Sequence, residues 1–298
     1  MKLPNLLIIG AQKAGTTTLY RDLLSQPNVF FPYIKEPTCL ADDHVLSTQG
    51  LEEYAELYKK AKDSDVRGDA STGYARIPRF TGVPERASRV LGDDVQLVYL
   101  LREPVSRIVS HHHHVVSNER CAATVDEFIH DENHHAITYS RYAFQLNAWL
   151  QFYPLDRFSV LIFEEYVKNR SHYVEMLSKK LGFQADVSRI DHGAKYNAAK
   201  NRSRDKGLIM RFQRTSLYGQ IRPLLPVQVR DRLRVMLAPK APPPPPPPSA
   251  QTVEFILESL EDDQRELASI LGRAYPIWDP DKVRSDFELR RARHGAQA

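Results

Sequence analysis

Residues Leu6–Leu24 read LLIIGAQKAGTTTLYRDLL, and this stretch decides the fold. Four apolar residues, Leu6 to Ile9, run straight into Gly10-Ala11-Gln12-Lys13-Ala14-Gly15-Thr16-Thr17. Leu19, Leu23 and Leu24 then recur at helical spacing. A buried strand, a glycine-bracketed loop and a helix in immediate succession form the pattern of a phosphate cradle. Gly10 and Gly15 can take φ > 0 and leave room for an anion against the backbone. The amides of the first helical turn lack intrahelical partners and point at that anion. Hydroxyls at Thr16, Thr17 and Thr18 add donors, and Lys13 supplies positive charge. The plain alternative is a tight strand-to-helix turn with an incidental lysine.

A Walker A loop reads G-x-x-x-x-G-K-[ST] and places its lysine directly after the second glycine. Here the Gly10 to Gly15 spacing is kept, but Thr16 stands at the lysine position and Lys13 lies inside the loop. Such a lysine reaches an anion differently from one that grips β- and γ-phosphates.

Two further apolar runs, Val95–Leu101 (VQLVYLL) and Phe158–Phe163 (FSVLIF), read as buried strands, and Val66–Ser71 as a shorter one. Helical patterns lie between them. The fold class is therefore α/β: a P-loop-type parallel sheet flanked by helices on both faces, with a helical C-terminal part. Prolines 27, 32 and 37 make the segment after the first helix extended. Helical spacing continues over 50–62, 84–91 and 139–152. Thr124 with Glu127 has the form of a capping box. Residues 206–237 and 251–271 are also helical in pattern, with Gly272 as a C-cap, and the charged tail from Lys282 is expected to fray. Seven prolines, Pro242–Pro248, read as a stiff surface spacer or a docking site for an aromatic-lined partner.

The chain of 298 residues is 42% hydrophobic and 26% charged, an ordinary globular composition, and is read as a single domain over 1–298. A formal charge of +4 suits an anionic ligand but is too weak to argue for nucleic acid. Cys39 and Cys121 form no disulfide framework or metal motif. No apolar run is long enough to span a bilayer. Met1–Asn5 enters the first strand without the pattern of a secretory leader. The expectation is a cytoplasmic protein.

Val95–Leu101 ends at Arg102, with Glu103-Pro104 next and Ser110 eight residues on. Arginine at a strand end and serine on the following helix can bracket one phosphate from two sides. A Walker B strand would instead end in a carboxylate that holds the metal's water shell. Two anion sites without such a carboxylate point to a ligand with two phosphate-like ends and no need of a metal ion.

These motifs resemble the sulfotransferases that use 3′-phosphoadenosine 5′-phosphosulfate (PAPS), in the branch of heparan-sulfate N- and 3-O-sulfotransferases and their bacterial relatives. IIGAQKAGTTTLY resembles the 5′-phosphosulfate loop, and LLREPVSRIVS resembles the 3′-phosphate motif. SQPNVFFPYIKE is similar to the stretch between them, with Gln26 where histidine is usual. YAFQLNAWLQFYPLDRFSVLIFEEY and LGRAYPIW resemble later segments, so the likeness spans most of the chain. The resemblance implies that Lys13, Ala14, Gly15, Thr16, Thr17 and Thr18 hold the 5′-phosphosulfate. It places Arg102 and Ser110 on the 3′-phosphate and Glu36 at the catalytic base. Lys200, Arg202 or Arg204 would belong to a late basic loop that closes over PAPS, and His114 would line the acceptor pocket. Several relatives carry Glu-Lys-[ST]-Pro where this chain has Asp69-Ala70-Ser71-Thr72, so a basic contact near the acceptor is missing.

The reaction implied is in-line transfer of a sulfuryl group from PAPS to a hydroxyl or amine of a carbohydrate, glycolipid or small molecule. Lys13 and Glu36 would act directly in it. A Mg²⁺-dependent P-loop kinase or ATPase is the competing enzyme, and a non-catalytic anion-binding scaffold the competing class. Taken alone, Glu36 reads as a solvated carboxylate paired with Lys35, and Arg102 as a strand-end arginine in an ion pair. His111–His114 reads as a surface run: only His111 and His114 share a helix face, too few ligands for a metal. Tyr74 and the aromatics at 30, 31 and 33 are read as cleft lining or as core.

Overall fold

The computed structural model describes residues 1–119, 124–129, 134–193 and 245–296. Five strands form one parallel sheet: β1 (Leu6–Gly10), β2 (Val29–Phe30), β3 (Val66–Asp69), β4 (Gln96–Leu101) and β5 (Phe158–Ile162), in the spatial order β2-β3-β1-β4-β5. β1 is central because it is apolar on both faces: Leu6, Leu7, Ile8 and Ile9 are fully buried. Burying each such side chain contributes about 1.5–3 kcal/mol. The chain leaves β1 toward β2 and β3, then crosses back to β4 and β5. The order therefore reverses beside β1, and in open α/β sheets the carboxyl ends of the strands at such a reversal, here β1 and β4, are where ligands bind.

The helices are α1 (Thr16–Leu24), α2 (Thr48–Glu56), α3 (Val83–Leu91), α4 (Pro104–Glu119), α5 (Val125–Phe128), α6 (His135–Thr138), α7 (Tyr142–Leu150), α8 (Phe163–Tyr166), α9 (Arg170–Leu181), α10 (Ala250–Ile270) and α11 (Pro280–Gly295). Right-handed crossovers running in opposite directions place their helices on opposite faces. α1 and α9 pack together, tied by a buried Arg170–Asp22 ion pair in which Arg170 Nε donates to Asp22 Oδ2 at 2.8 Å. α4, α7 and α10 pack together elsewhere. The capping box forms at α5, with Thr124 and Glu127 bonding reciprocally.

Several expectations need correction. The helical pattern over 50–62 ends at Glu56 and continues as turns. The tail from Lys282 does not fray. Asp279 caps α11, Pro280 starts it, and Val283 and Phe287, one turn apart, bury against Val105 and Ile108 of α4 and Val253, Ile256 and Leu260 of α10. Four residues' spacing between two apolar side chains was enough to dock an otherwise charged helix. The proline run is not wholly a surface feature: Pro248 is buried, and Arg291 Nη1 donates to its carbonyl at 3.0 Å. Its first three prolines, Cys121 and the helical pattern at 206–237 lie outside the described residues. No helix among the described residues is long and apolar enough to cross a membrane.

Candidate active site

The loop after β1 is anchored where Ala11 N donates to the Leu100 carbonyl at 2.7 Å, which joins it to β4. Gly15 is the N-cap of α1 at φ 91°, and no side chain caps that helix end. A Cβ at Gly15 would stand 2.4 Å from the Phe163 ring, so glycine is required by space as well as by conformation. Lys13 also has positive φ, 72°. Ala14 and Thr16 are buried, while Lys13, Thr17 and Thr18 are half-exposed along the loop and first turn.

Arg102 follows β4 and turns back to this loop, where its Nη1 donates to the Lys13 carbonyl at 3.2 Å. The two anchors read separately from the sequence are thus in direct contact. Phe163, the residue after β5, lies 5.1 Å beneath the Arg102 guanidinium and also against Gly15. Arg102 Nε is buried without a partner, as is Gln12 Oε1. Among the described residues Arg102 makes no ion pair, and its one hydrogen bond from the side chain goes to the loop. Burial pulls its pKa below the usual guanidinium value, against the opposing pull of Glu164 and Glu103. An open helix N-terminus, a glycine that no side chain could replace and a guanidinium with an unused donor fit a doubly anionic ligand such as PAPS.

Glu103 is not available to a metal's water shell. Its carboxylate accepts from Val105 N at 2.6 Å and Ser106 N at 2.7 Å, capping α4. Burial pushes its pKa up. Among the described residues no group of three potential metal ligands is assembled.

Glu36 lies on the segment after β2. Lys35 Nζ meets its Oε1 at 3.0 Å, and Thr72 Oγ1 donates to its Oε2 at 3.1 Å. Thr72 belongs to a tight turn, Thr72–Ala75, that follows β3. Below that turn, buried Asp69 accepts from Ser71 Oγ at 2.6 Å and from Tyr54 and Tyr74 hydroxyls at 2.8 Å each. Ser71 Oγ accepts in turn from Thr38 N at 3.0 Å. The turn after β3 therefore holds the Glu36–Thr38 segment at two points. Tyr74 and Phe31 are core residues rather than cleft lining, whereas Tyr33 is exposed.

Ser110 and His114 are half-buried on successive turns of α4. The histidine run is not a surface run, since His111, His112 and His113 are buried. His111 is ringed by Phe128, His135 and Tyr139, and both its nitrogens lack partners. Burial, then Arg107, His135, His114 and Lys13, push its pKa down to about 2. Lys200 lies outside the described residues.

Three contributors were missed in the sequence. Phe163 closes the floor between the anchors. Arg107, fully buried, donates Nε to Ser140 Oγ at 2.7 Å and Nη1 to the Gln12 carbonyl at 3.4 Å. Its partners among the described residues are neutral, so a cation stands directly behind the cradle. Thr72 holds Glu36. Only Arg107 carried a signal, as a second arginine within LLREPVSR.

The chain is 24% identical over 214 residues to human (Homo sapiens) heparan sulfate glucosamine 3-O-sulfotransferase 6, covering 67% of this chain and 57% of that protein. It is 21% identical over 201 residues to mouse (Mus musculus) heparan sulfate glucosamine 3-O-sulfotransferase 5, covering 64% and 56%. The chain thus spans little more than half the length of these curated relatives. A sulfotransferase from Alicyclobacillus acidocaldarius of known crystal structure shares the fold at TM-score 0.62 and 18% identity, over 93% of this chain and 99% of that one. Residues 3–234, well over half of the chain, match the family model for the sulfotransferase domain, and the chain belongs to that family.

Proposed function

We propose that the chain transfers a sulfuryl group from PAPS to a hydroxyl or amine of an acceptor, by in-line displacement and without a metal ion. The observation that carries this reading is the Arg102–Lys13 contact. It puts a strand-end arginine and a helix N-terminal cradle at neighbouring strand ends, as two anionic ends of one ligand require. PAPS brings an activated sulfuryl group joined to its 5′-phosphate. The loop amides, Lys13, Ala14, Gly15 and the threonines at 16 to 18 bind that end, while Arg102 and Ser110 bind the 3′-phosphate. Lys200 and His114 complete the donor and acceptor sides.

Glu36 takes the proton from the acceptor O–H or N–H, with Thr72 holding Oε2 and leaving the other oxygen to Lys35 and the acceptor. General-base help of this kind is worth roughly 10²–10⁴ in rate. Lys13 sits where negative charge grows on the departing phosphate, a contribution of about 10²–10³ by analogy with oxyanion-hole donors. Fixing both donor ends supplies the alignment. α10 and α11 belong to the same working unit, because Asp263 of α10 accepts from Ala143 N and Phe144 N at the start of α7. We place the protein in a reducing, cytoplasmic setting on its two cysteines in 298 residues.

A screen of hydroxyl and amine acceptors with sulfur-labelled PAPS tests the reading. Transfer should proceed in the presence of a chelator and fall at least about 100-fold in Glu36→Gln, with 3′,5′-ADP affinity unchanged. Magnesium-dependent ATP turnover without 3′,5′-ADP binding would establish the kinase reading instead.

A further inference from the structure

Arg76 directly follows the Thr72–Ala75 turn that holds Glu36. Ala75 packs on the start of the cradle: a Cβ at Gly10 would stand 3.0 Å from the Ala75 Cβ. The backbone beyond is pinned by Gln145, which accepts from Ile77 N and donates to Ile77 O at 2.9 Å each. Arg76 is therefore a fixed, half-buried residue near the carboxyl end of β1. Its guanidinium carbon stands 5.1 Å from the centroid of the Phe80 ring and 5.9 Å from that of Tyr139. Among the described residues the guanidinium makes no hydrogen bond or ion pair, and Nε is buried without a partner.

A guanidinium carries five N–H donors and keeps its charge in a protein. Partial burial without a counter-ion is costly, and two ring faces recover only part of that cost. Burial pulls the Arg76 pKa down, Tyr139 raises it, Arg79 lowers it and Glu36 raises it. Arg76 and Glu36 thus share one electrostatic environment. The side chain is stacked in place with its donors unspent, which is the preorganised state for an incoming oxyanion.

We propose that Arg76 is a specificity-determining residue that receives an oxyanion carried by the acceptor, so that the enzyme selects acceptors with a carboxylate, sulfate or phosphate near the group it modifies. The inference rests on the sulfotransferase reading and adds an acceptor class to it. Sheet order argues for the acceptor over the donor. The donor anchors follow β1 and β4, whereas Glu36 and Arg76 follow β2 and β3, on the other side of β1. Arg76 also stands in a chain whose Asp69–Thr72 stretch carries no basic residue.

The test uses 4-nitrophenyl β-D-glucuronide and 4-nitrophenyl β-D-glucoside, which share their ring hydroxyls and differ by one carboxylate. Each is titrated calorimetrically into protein saturated with 3′,5′-ADP. The wild type should bind the glucuronide at least about tenfold more tightly. Arg76→Gln should erase that preference, Arg76→Lys should keep part of it, and 3′,5′-ADP affinity and thermal unfolding should match the wild type in both variants. Equal affinities for the two glycosides, including no binding of either, would overturn the inference. So would a preference that survives Arg76→Gln, or a loss confined to 3′,5′-ADP binding. Wild-type protein that binds no 3′,5′-ADP would instead sink the sulfotransferase reading, and the inference with it.

Discussion

The Tyr142 hydroxyl donates to the carbonyl oxygen of Arg102 at 2.7 Å, so the residue that reaches the cradle is itself held by α7. The next amide, Glu103 N, donates to Glu164 Oε1 at 3.1 Å, and Trp278 Nε1 donates to the other oxygen of that carboxylate at 3.0 Å. Tyr142 and Trp278 pack with ring centroids 5.9 Å apart. The Arg102–Glu103 peptide is thereby gripped at both its polar ends by a network that includes a residue beyond the matched family region.

Replacing Tyr142 with phenylalanine removes one donor and leaves the Arg102 carbonyl unsatisfied, a cost of about 1–3 kcal/mol. We expect 3′,5′-ADP affinity, measured by calorimetry, to fall roughly 3–10-fold, with kcat at saturating PAPS near the wild-type value.

Gly15→Ala meets two obstacles at once, a left-handed backbone that costs an L-residue about 1–2 kcal/mol and a Phe163 ring 2.4 Å from the new Cβ. Donor binding should be lost before folding is. Circular dichroism melting and 3′,5′-ADP titration on the same sample separate the two effects.

Asp69 is fully buried, and burial raises its pKa to about 6 against the pull of its three hydroxyl donors. The protonated form is therefore favoured in the folded state. Its contribution to stability is fully present below the ordinary carboxylate pKa, at about pH 4, and is lost as pH rises through about 6. Wild-type stability relative to Asp69→Asn should fall between those limits by up to about 3 kcal/mol. Denaturant melts across the window provide the measurement.

Phe287 fills the seam between α11, α10 and α4 and is almost fully buried. Phe287→Ala should cost about 3–5 kcal/mol in urea unfolding. A freely fraying tail would instead leave the midpoint unchanged.

Much of this molecule was legible one residue at a time. Apolar runs at 6–9 and 97–101 announce strands buried on both faces, and Gly15 before three threonines announces an uncapped helix start. Lys13 displaced into the loop and Arg102 at a strand end read as two candidate anion sites, because charge at a strand end with no acidic neighbour in the metal position is a local signal. Arg76 carried no such signal. Its meaning comes from what it lacks nearby and from Phe80 and Tyr139, one of which is distant in sequence. The helix at 280–295 was hidden for a related reason, since only two of its residues are buried and the rest looks like a solvated tail.

The chain's own residue order determined the sheet class, the loop after β1 and the two candidate anion anchors, since each depends on backbone conformation and charge within a dozen residues. Tertiary structure decided which anchors touch, which carboxylate is spent on a helix cap, how Glu36 is held and where an unpartnered guanidinium stands. Those facts depend on the order in which strands lie side by side, set by packing summed over the whole core rather than by any single stretch.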